Sequence, residues 1–359
     1  CEVFLILLSF RHEKRLYSCP KCASKNVIKK GVRRGKLKYF CKDCGCYFQI
    51  NRRVKFDAPK LLLSHMSGLS FRTIADDLKI SVGKSYEAYF EVLERLPLCI
   101  DITRNYCNRF CGILLVDGKY VKVKGYPRKI PVIYGIDYLT HDIVHFVFGP
   151  SENYSLLLKF FSSLKLANYP LQAIVSDDNL NTPQACLEVY PTAIWQLCQN
   201  HYKHNLRITL NVANDPTYRL FMNQIETLFS NKLSTEDFKS RASKIYKKYG
   251  ETDELCKKVI LDIAKRSPDL FAYTKLPHIP RTNNLIESFN SHLQGRLKTI
   301  KGFQNFKTAK LWLNAYFLKR RLKPFTDCTK QFKKLNGKSS LQQTLKESYK
   351  LEDILKLIK

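Results

Sequence analysis

The chain has 359 residues, 45% of them apolar and 26% charged, which allows two or three domains with at least one large core. Its 61 Lys and Arg against 31 Asp and Glu give a formal charge of +30, a field that favours a polyanionic partner, nucleic acid ahead of a membrane surface. Nothing reads as a transmembrane span: the longest early apolar run, Val3 to Phe10, is far too short, and it lacks the basic start and cleavage pattern of a signal peptide. A secreted disulfide framework is small and Cys-dense; 13 cysteines in so long a chain point instead to a reducing, intracellular compartment. The chain opens on Cys1 rather than Met, which leaves its natural start open.

Residues 1–16 carry no motif. Cys19-Pro-Lys-Cys22 and Cys41-Lys-Asp-Cys44-Gly45 are two Cys-x-x-Cys knuckles with the spacing of a tetrahedral structural zinc site. Between them Val27, Ile28, Val32, Leu37 and Tyr39-Phe40, broken by Gly31 and Gly35, suit the short strands of a zinc ribbon over 17–50. So small a module has too little core to fold alone, and metal binding would supply the missing stability. Cys46 is a spare rather than a fifth ligand. The ribbon's Lys and Arg suit phosphate contacts; a folding unit or a protein-docking knob fits the same residues.

Residues 58–96 read as helical. Pro59 starts a helix through Leu61, Leu62, Leu63 and Met66 that Gly68 ends. Ser70 caps a second with Ile74, Ala75 and Leu78, and Ser81 a third with Tyr86, Tyr89, Phe90 and Leu93. Helices joined by short turns, with the small Ala75 at the crossing, fit a helix-turn-helix over 57–97. Lys84 and Ser85 would then face the major groove; three-helix packing without DNA is the competing reading. Pro97 and the polar run 103–108 read as a linker.

From 112 the pattern changes to strands alternating with helices. Gly112 to Val116 is a continuous apolar run, as in a strand buried on both faces, and ends in Asp117-Gly118. Tyr120 to Lys124 alternates and could be the hairpin return. Val132–Tyr138 and Ile143–Phe148 are two more strands, Ser155–Leu166 an amphipathic helix, and Leu171–Val175 a strand ending in Ser176-Asp177-Asp178. A short helix from Thr182-Pro183 precedes a fifth strand, Ala193–Leu197. This is an α/β, ribonuclease-H-like mixed sheet. Asp117 and Asp177 would each cap an apolar strand, close enough to repel unless a cation lies between them. Asp117-Gly118 is also a good turn pair by itself.

Residues 202–275 are basic, polar and helical in pattern, as an all-helical insertion within a domain spanning 110–323. Arg281-Thr-Asn-Asn-Leu-Ile-Glu-Ser-Phe-Asn290 then opens a helix. Asn283 and Asn284 can cap it, Leu285, Phe289, Leu293 and Leu297 form its apolar stripe, and Glu287 sits in the first turn. A further helix, 303–322, ends in Lys319-Arg320-Arg321, which could track a DNA backbone or simply complement the helix dipole. The basic tail, 324–359, is low in aromatics and reads as loosely ordered.

Four patterns, Val116-Asp117-Gly118, Val175-Ser176-Asp177-Asp178, Cys198-Gln-Asn-His201 and Asn283-Asn284-Leu-Ile-Glu287-Ser288-Phe289-Asn290, occur in an order that resembles transposases of the IS256/ISL3/Mutator-like group of DDE enzymes, over about residues 18 to 323. The resemblance implies an N-terminal DNA-binding region, a catalytic core with a helical insertion, and metal-dependent cutting and strand transfer at the terminal inverted repeats of a mobile element. It implies Asp117, Asp177 and Glu287 as catalytic ligands of Mg²⁺ or Mn²⁺, with a zinc ribbon as found at the front of related transposases. Asp178 is a rival for the second role, since it stands where the family's Ser-Asp-Gly pattern has Gly. Cys198 and His201 match a family signature. Two ligands cannot close a zinc site, so the pair would position DNA, shape the pocket or serve structure. Implied partners are double-stranded DNA, at the inverted repeats and at the target, and further copies of the chain. The implied location is with DNA. Phosphodiester transfer by this route needs no covalent protein intermediate. Two other functions compete: a domesticated DNA-binding protein without catalysis, and a nuclease of RNA–DNA hybrids.

Overall fold

The computed structural model describes residues 18–33, 36–50, 58–230 and 234–352; the apolar run from Val3 to Phe10 lies outside them. The chain divides into two units between Leu96 and Pro97.

In the first unit, β1 (Val27–Arg33), β2 (Lys36–Cys41) and β3 (Tyr47–Ile50) form an antiparallel sheet in that order. Cys19 and Cys22 lie before β1, Cys41 ends β2 and Cys44 lies in the next turn. Three helices follow: α1 (Ala58–Ser67), α2 (Phe71–Leu78) and α3 (Val82–Leu93). The Ser70 and Ser81 hydroxyls accept from the amides of Thr73 and Lys84 at 3.1 and 3.2 Å, each satisfying an otherwise orphaned helix donor. Leu61, Leu62, Met66, Ile74, Ala75, Tyr89 and Leu93 are buried.

The second unit starts with α4 (Cys99–Tyr106). Its sheet comprises β4 (Ile113–Val121), β5 (Ile130–Asp137), β6 (Ile143–Phe148), β7 (Ala173–Ser176) and β8 (Ile194–Leu197), in the order β6-β5-β4-β7-β8. The β6, β5 and β4 neighbours pair antiparallel; β4, β7 and β8 pair parallel. The parallel strands need crossovers, supplied by α5 (Tyr154–Leu166) and α6 (Asn181–Val189). Leu114, Val116, Ile133 and Ile174 pack with Phe160, Phe161 and Leu164 of α5 and with Ala185 and Cys186 of α6.

Between β8 and α11 (Asn284–Ile300) come α7 (Gln199–Thr209), α8 (Pro216–Thr227), α9 (Thr235–Ile245) and α10 (Glu254–Leu270). Their apolar faces close a separate core that includes Tyr202, Phe221, Ile225, Val259, Ile263 and Leu270. The last long helix, α12 (Phe306–Leu322), sets Phe317 5.0 Å from both Tyr134 and Phe146, ring centre to ring centre. With layers on both faces, β5 and β6 are buried along their whole length. No helix among the described residues is long and apolar enough to cross a membrane.

Several expectations need correction. Asp117-Gly118 does not end its strand: β4 runs through both, pairing Asp117 with Tyr134 and Gly118 with Ile133. Tyr120 and Val121 therefore finish β4 rather than form a hairpin return, and the chain reverses beyond them, near Gly125, whose φ of +87° suits a side-chain-free residue. The supposed linker 103–108 begins inside α4, because Cys99, Ile102 and Thr103 have buried places to fill and the Thr103 hydroxyl donates to the Val144 carbonyl at 2.6 Å. The described part of the tail is not loose: α13 (Ser340–Thr344) is anchored by Leu341 and Leu345, both buried, and by Ser340 and Thr344 donating to Asp142.

Candidate active site

Parallel pairing in register puts Leu115 of β4 beside Val175 of β7. Asp117 and Asp177 each lie two residues further along, so they leave neighbouring strands at one level and on one face. Burial pushes the Asp117 carboxyl up to about 6, and the charge of Asp177 adds to the rise; the Gly118 amide, donating to Oδ1 at 2.7 Å, opposes it. Asp177 is raised as well, by burial first and then by the charge of Glu152. Two carboxyls that burial and neighbouring negative charge drive toward protonation, with acid oxygens as donors, suit a hard divalent cation.

Glu287 lies in the first turn of α11, a helix pinned to the sheet by two asparagines. Asn290 donates from Nδ2 to Asp117 Oδ2 at 2.7 Å and accepts the Tyr134 hydroxyl at 2.9 Å. Asn283 donates from Nδ2 to the Val116 carbonyl at 3.1 Å. It holds the N-cap position but its side chain makes no cap: with Nδ2 turned to β4, Oδ1 is buried without a hydrogen-bond partner among the described residues. The buried stripe of α11 is Ile286, Phe289, Asn290 and Leu293, rotated from the expected one, whose Leu285 and Leu297 are half-buried. Glu287 and Asn290, three residues apart, share a helix face.

His201 stands beside this group. Its Nε2 lies 3.6 Å from Glu287 Oε1. The neighbouring Cys198 sulfur raises the imidazole to about 9 against burial, helped by the charges of Asp117 and Glu287. Two sets of possible ligand atoms among the described residues lie within 4.8 Å of one another: Cys19, Cys22, Cys41 and Cys44, and Cys198, His201 and Glu287. Asp117, Asp177 and Glu287 do not all come within that distance. The four-cysteine set has Sγ–Sγ separations of 3.5 Å (Cys19–Cys44) and 3.6 Å (Cys22–Cys41). Tetrahedral zinc, with Zn–S bonds of about 2.3 Å, would separate its sulfurs by about 3.8 Å, so the cluster is consistent with structural zinc.

Asp178 is otherwise engaged. It forms an ion pair with Arg266 of α10, which also reaches Asp262 at 3.3 Å, and Asp262 accepts the Tyr202 hydroxyl at 2.6 Å. Sequence reasoning missed Glu152. It lines a cavity of about 80 Å³ with Asp117 and Asp177, and accepts from the Tyr120 hydroxyl at 2.9 Å and Asn179 Nδ2 at 3.0 Å. No local motif marks it. Asn283 and Asn290 flank Glu287 in sequence, but their partners Val116 and Asp117 are far away in the chain.

Of the basic candidates, Lys84 lies 3.8 Å from Glu87 with 38% of its side chain exposed. Lys319 is half-buried, and burial followed by Arg296, Lys323 and Arg320 lowers its ammonium to about 8. The Arg320 guanidinium lies over the Phe289 ring at 4.7 Å. Ser85 does not face a groove: it is buried, and its hydroxyl donates to the carbonyls of Phe71 and Val82. Arg321 does not track a backbone either, being wholly buried against Asp142.

The chain matches the family described as "Transposase, Mutator family" over residues 52–320. The transposase for insertion sequence element IS256 in transposon Tn4001, in its Staphylococcus aureus and Enterococcus faecalis forms, is 23% identical over 283 residues, covering 74% of this chain and 70% of the relative. A solved Drosophila P element transposase strand transfer complex aligns with 12% identity over 88% of this chain and 93% of that one, at a TM-score of 0.29.

Proposed function

The chain belongs to the Mutator family of transposases, and from that premise we propose a metal-dependent enzyme that cuts DNA at the terminal inverted repeats of a mobile element and joins the freed end to target DNA. Asp117, Asp177 and Glu287 would hold the divalent cations, magnesium or manganese. Bound there, the cations would supply positive charge against the charge developing on the transferred phosphate.

The reading is supported most by the contact of Asn290 with Asp117, which ties the Glu287 helix to the strand carrying the first aspartate. Asn290 fixes one oxygen of Asp117 and the Gly118 amide the other, so the carboxylate is oriented before any ligand arrives. Arg266 pairs with Asp178, which supports Asp177 as the second acid. In the reaction a water oxygen bonds to phosphorus as the bond to the element's 3′ oxygen breaks, and that oxygen takes up a proton. The new 3′-hydroxyl then attacks a target phosphate in the same way. The sheet, with three antiparallel strands followed by two parallel ones, is read as ribonuclease-H-like, within a catalytic domain over 110–323 interrupted at 202–275. Zinc on Cys19, Cys22, Cys41 and Cys44, a helix-turn-helix over 57–97 with Lys84, and Lys319 and Arg320 would serve DNA recognition. Holding two element ends together calls for at least two copies of the chain.

The test is magnesium-dependent nicking of a duplex carrying the element's inverted repeat. Activity should fall by about 10³-fold or more in Asp117→Ala and in Glu287→Ala. Activity that survives either change removes the assignment, and sequence-specific binding without nicking would leave a DNA-binding protein.

A further inference from the structure

We propose that Cys198, His201 and Glu287 form a second transition-metal site, of the zinc class, separate from the four-cysteine cluster. The three possible ligand atoms lie within 4.8 Å of one another. Zinc bonds of about 2.0–2.3 Å set tetrahedral ligands about 3.3–3.7 Å apart, and His201 Nε2 is already 3.6 Å from Glu287 Oε1. That distance is too long for a hydrogen bond, and His201 Nδ1 is buried with no hydrogen-bond partner among the described residues. The imidazole's partners are thus the Cys198 sulfur and the Glu287 carboxylate, the other two members of the trio. The Cys198 sulfur is fully buried and receives the Asn283 amide at 3.3 Å, an outer contact of the sort that supports a ligating sulfur.

Regular elements carry the trio. Cys198 is the N-cap of α7, His201 follows one turn later, and Glu287 is in the first turn of α11. The Gln199 amide donates to the Arg281 carbonyl at 3.0 Å, and Asn200 Nδ2 to Asn284 Oδ1 at 2.8 Å, stitching the two helix starts together. A sulfur, an imidazole and one carboxylate select zinc-like ions over magnesium, and three protein ligands leave a fourth position for water or a substrate oxygen. If Glu287 is also the third acid of the proposed reaction, which this one consequence assumes, zinc here competes with magnesium for it.

The experiment is zinc content per chain, by mass spectrometry, on the full-length protein loaded with zinc and dialysed. Relative to wild type, His201→Ala and Cys198→Ser should each lose one zinc per chain while the four-cysteine cluster keeps its own. His201 is half-exposed, so its variant carries the test even if the buried Cys198→Ser fails to fold. A zinc count in His201→Ala equal to that of wild type overturns the proposal. Asp117→Asn should abolish nicking yet keep the wild-type zinc count, so a failure of the proposed reaction and a failure of this site read out separately.

Discussion

Replacing Arg321 with methionine removes a cation that is 0% exposed and bonded to Asp142 through two nitrogens, Nε to Oδ1 at 3.0 Å and Nη2 to Oδ2 at 2.7 Å. Nη1 donates to the Cys99 carbonyl and the Thr103 hydroxyl, each at 3.0 Å. The same carboxylate accepts the Ser340 and Thr344 hydroxyls at 2.9 and 2.8 Å, so α4, α12 and α13 meet on one charge pair. Methionine fills much of the volume but strands the carboxylate, and breaking a buried pair from one side costs about 3–5 kcal/mol. The two hydroxyl donors that remain argue for the lower end of that range. Against a total stability of about 5–15 kcal/mol and a urea dependence of about 2–3 kcal/mol per molar, the unfolding midpoint should drop by roughly 1–2 M. The double variant Arg321→Met/Asp142→Leu should recover most of the loss, because an apolar pair needs no charge compensation. Urea unfolding followed by circular dichroism makes the measurement. A loss below about 1 kcal/mol in Arg321→Met, or a double variant as weak as the sum of its singles, would refute the reasoning. The salt dependence of DNA binding should not change, whereas loss of a phosphate contact would lower its slope by about one.

Asp177→Asn should abolish magnesium-dependent nicking while Asp178→Asn keeps it within about tenfold, since Arg266 already neutralises Asp178; the reverse ranking would exchange their roles. Asn290→Ala leaves Asp117 Oδ2 without its donor and should cut nicking by about 10–100-fold, with a higher magnesium requirement; a change under about threefold contradicts the positioning role. Burial pushes His145 down from 6.5 to about 3, and neither ring nitrogen has a hydrogen-bond partner among the described residues. Between those values the unfolded chain takes the proton and the folded one does not. This histidine therefore contributes a stability loss of about 1.4 kcal/mol per pH unit as pH falls below 6.5, ending near 3. His145→Phe should flatten the urea midpoint against pH by that amount, and an unchanged slope would count against a buried neutral imidazole.

What could be read from the sequence was local. The apolar run Ile113–Val116 and the alternation of strands and helices through Leu197 carry the sheet, and Ser70 and Ser81 cap the helices they precede. Asp117-Gly118 misled because the pair is good turn chemistry and nothing nearby shows that Tyr134 waits across the sheet. Arg321 sits in a basic helix end, where exposure is the ordinary expectation; its partner Asp142 is 179 residues away. Ser85 follows a cap, yet its hydroxyl turns inward to Phe71 and Val82. The contact of Asn290 with Asp117 spans 173 residues, and Glu152 is an isolated acid that only folding brings to the other two. Cys198 and His201 were visible as a pair, while their third neighbour, Glu287, arrives from a different helix.

The convergence of Asp117, Asp177 and Glu287 on shared divalent cations can be tested by replacing magnesium with ferrous iron and mapping where the radicals it generates cut the polypeptide. Cuts should fall near residues 117, 177 and 287 together, fade as magnesium is added back, and disappear in Asp117→Asn. Cuts confined to one of these segments, or a pattern that excess magnesium leaves unchanged, would contradict a common cation site.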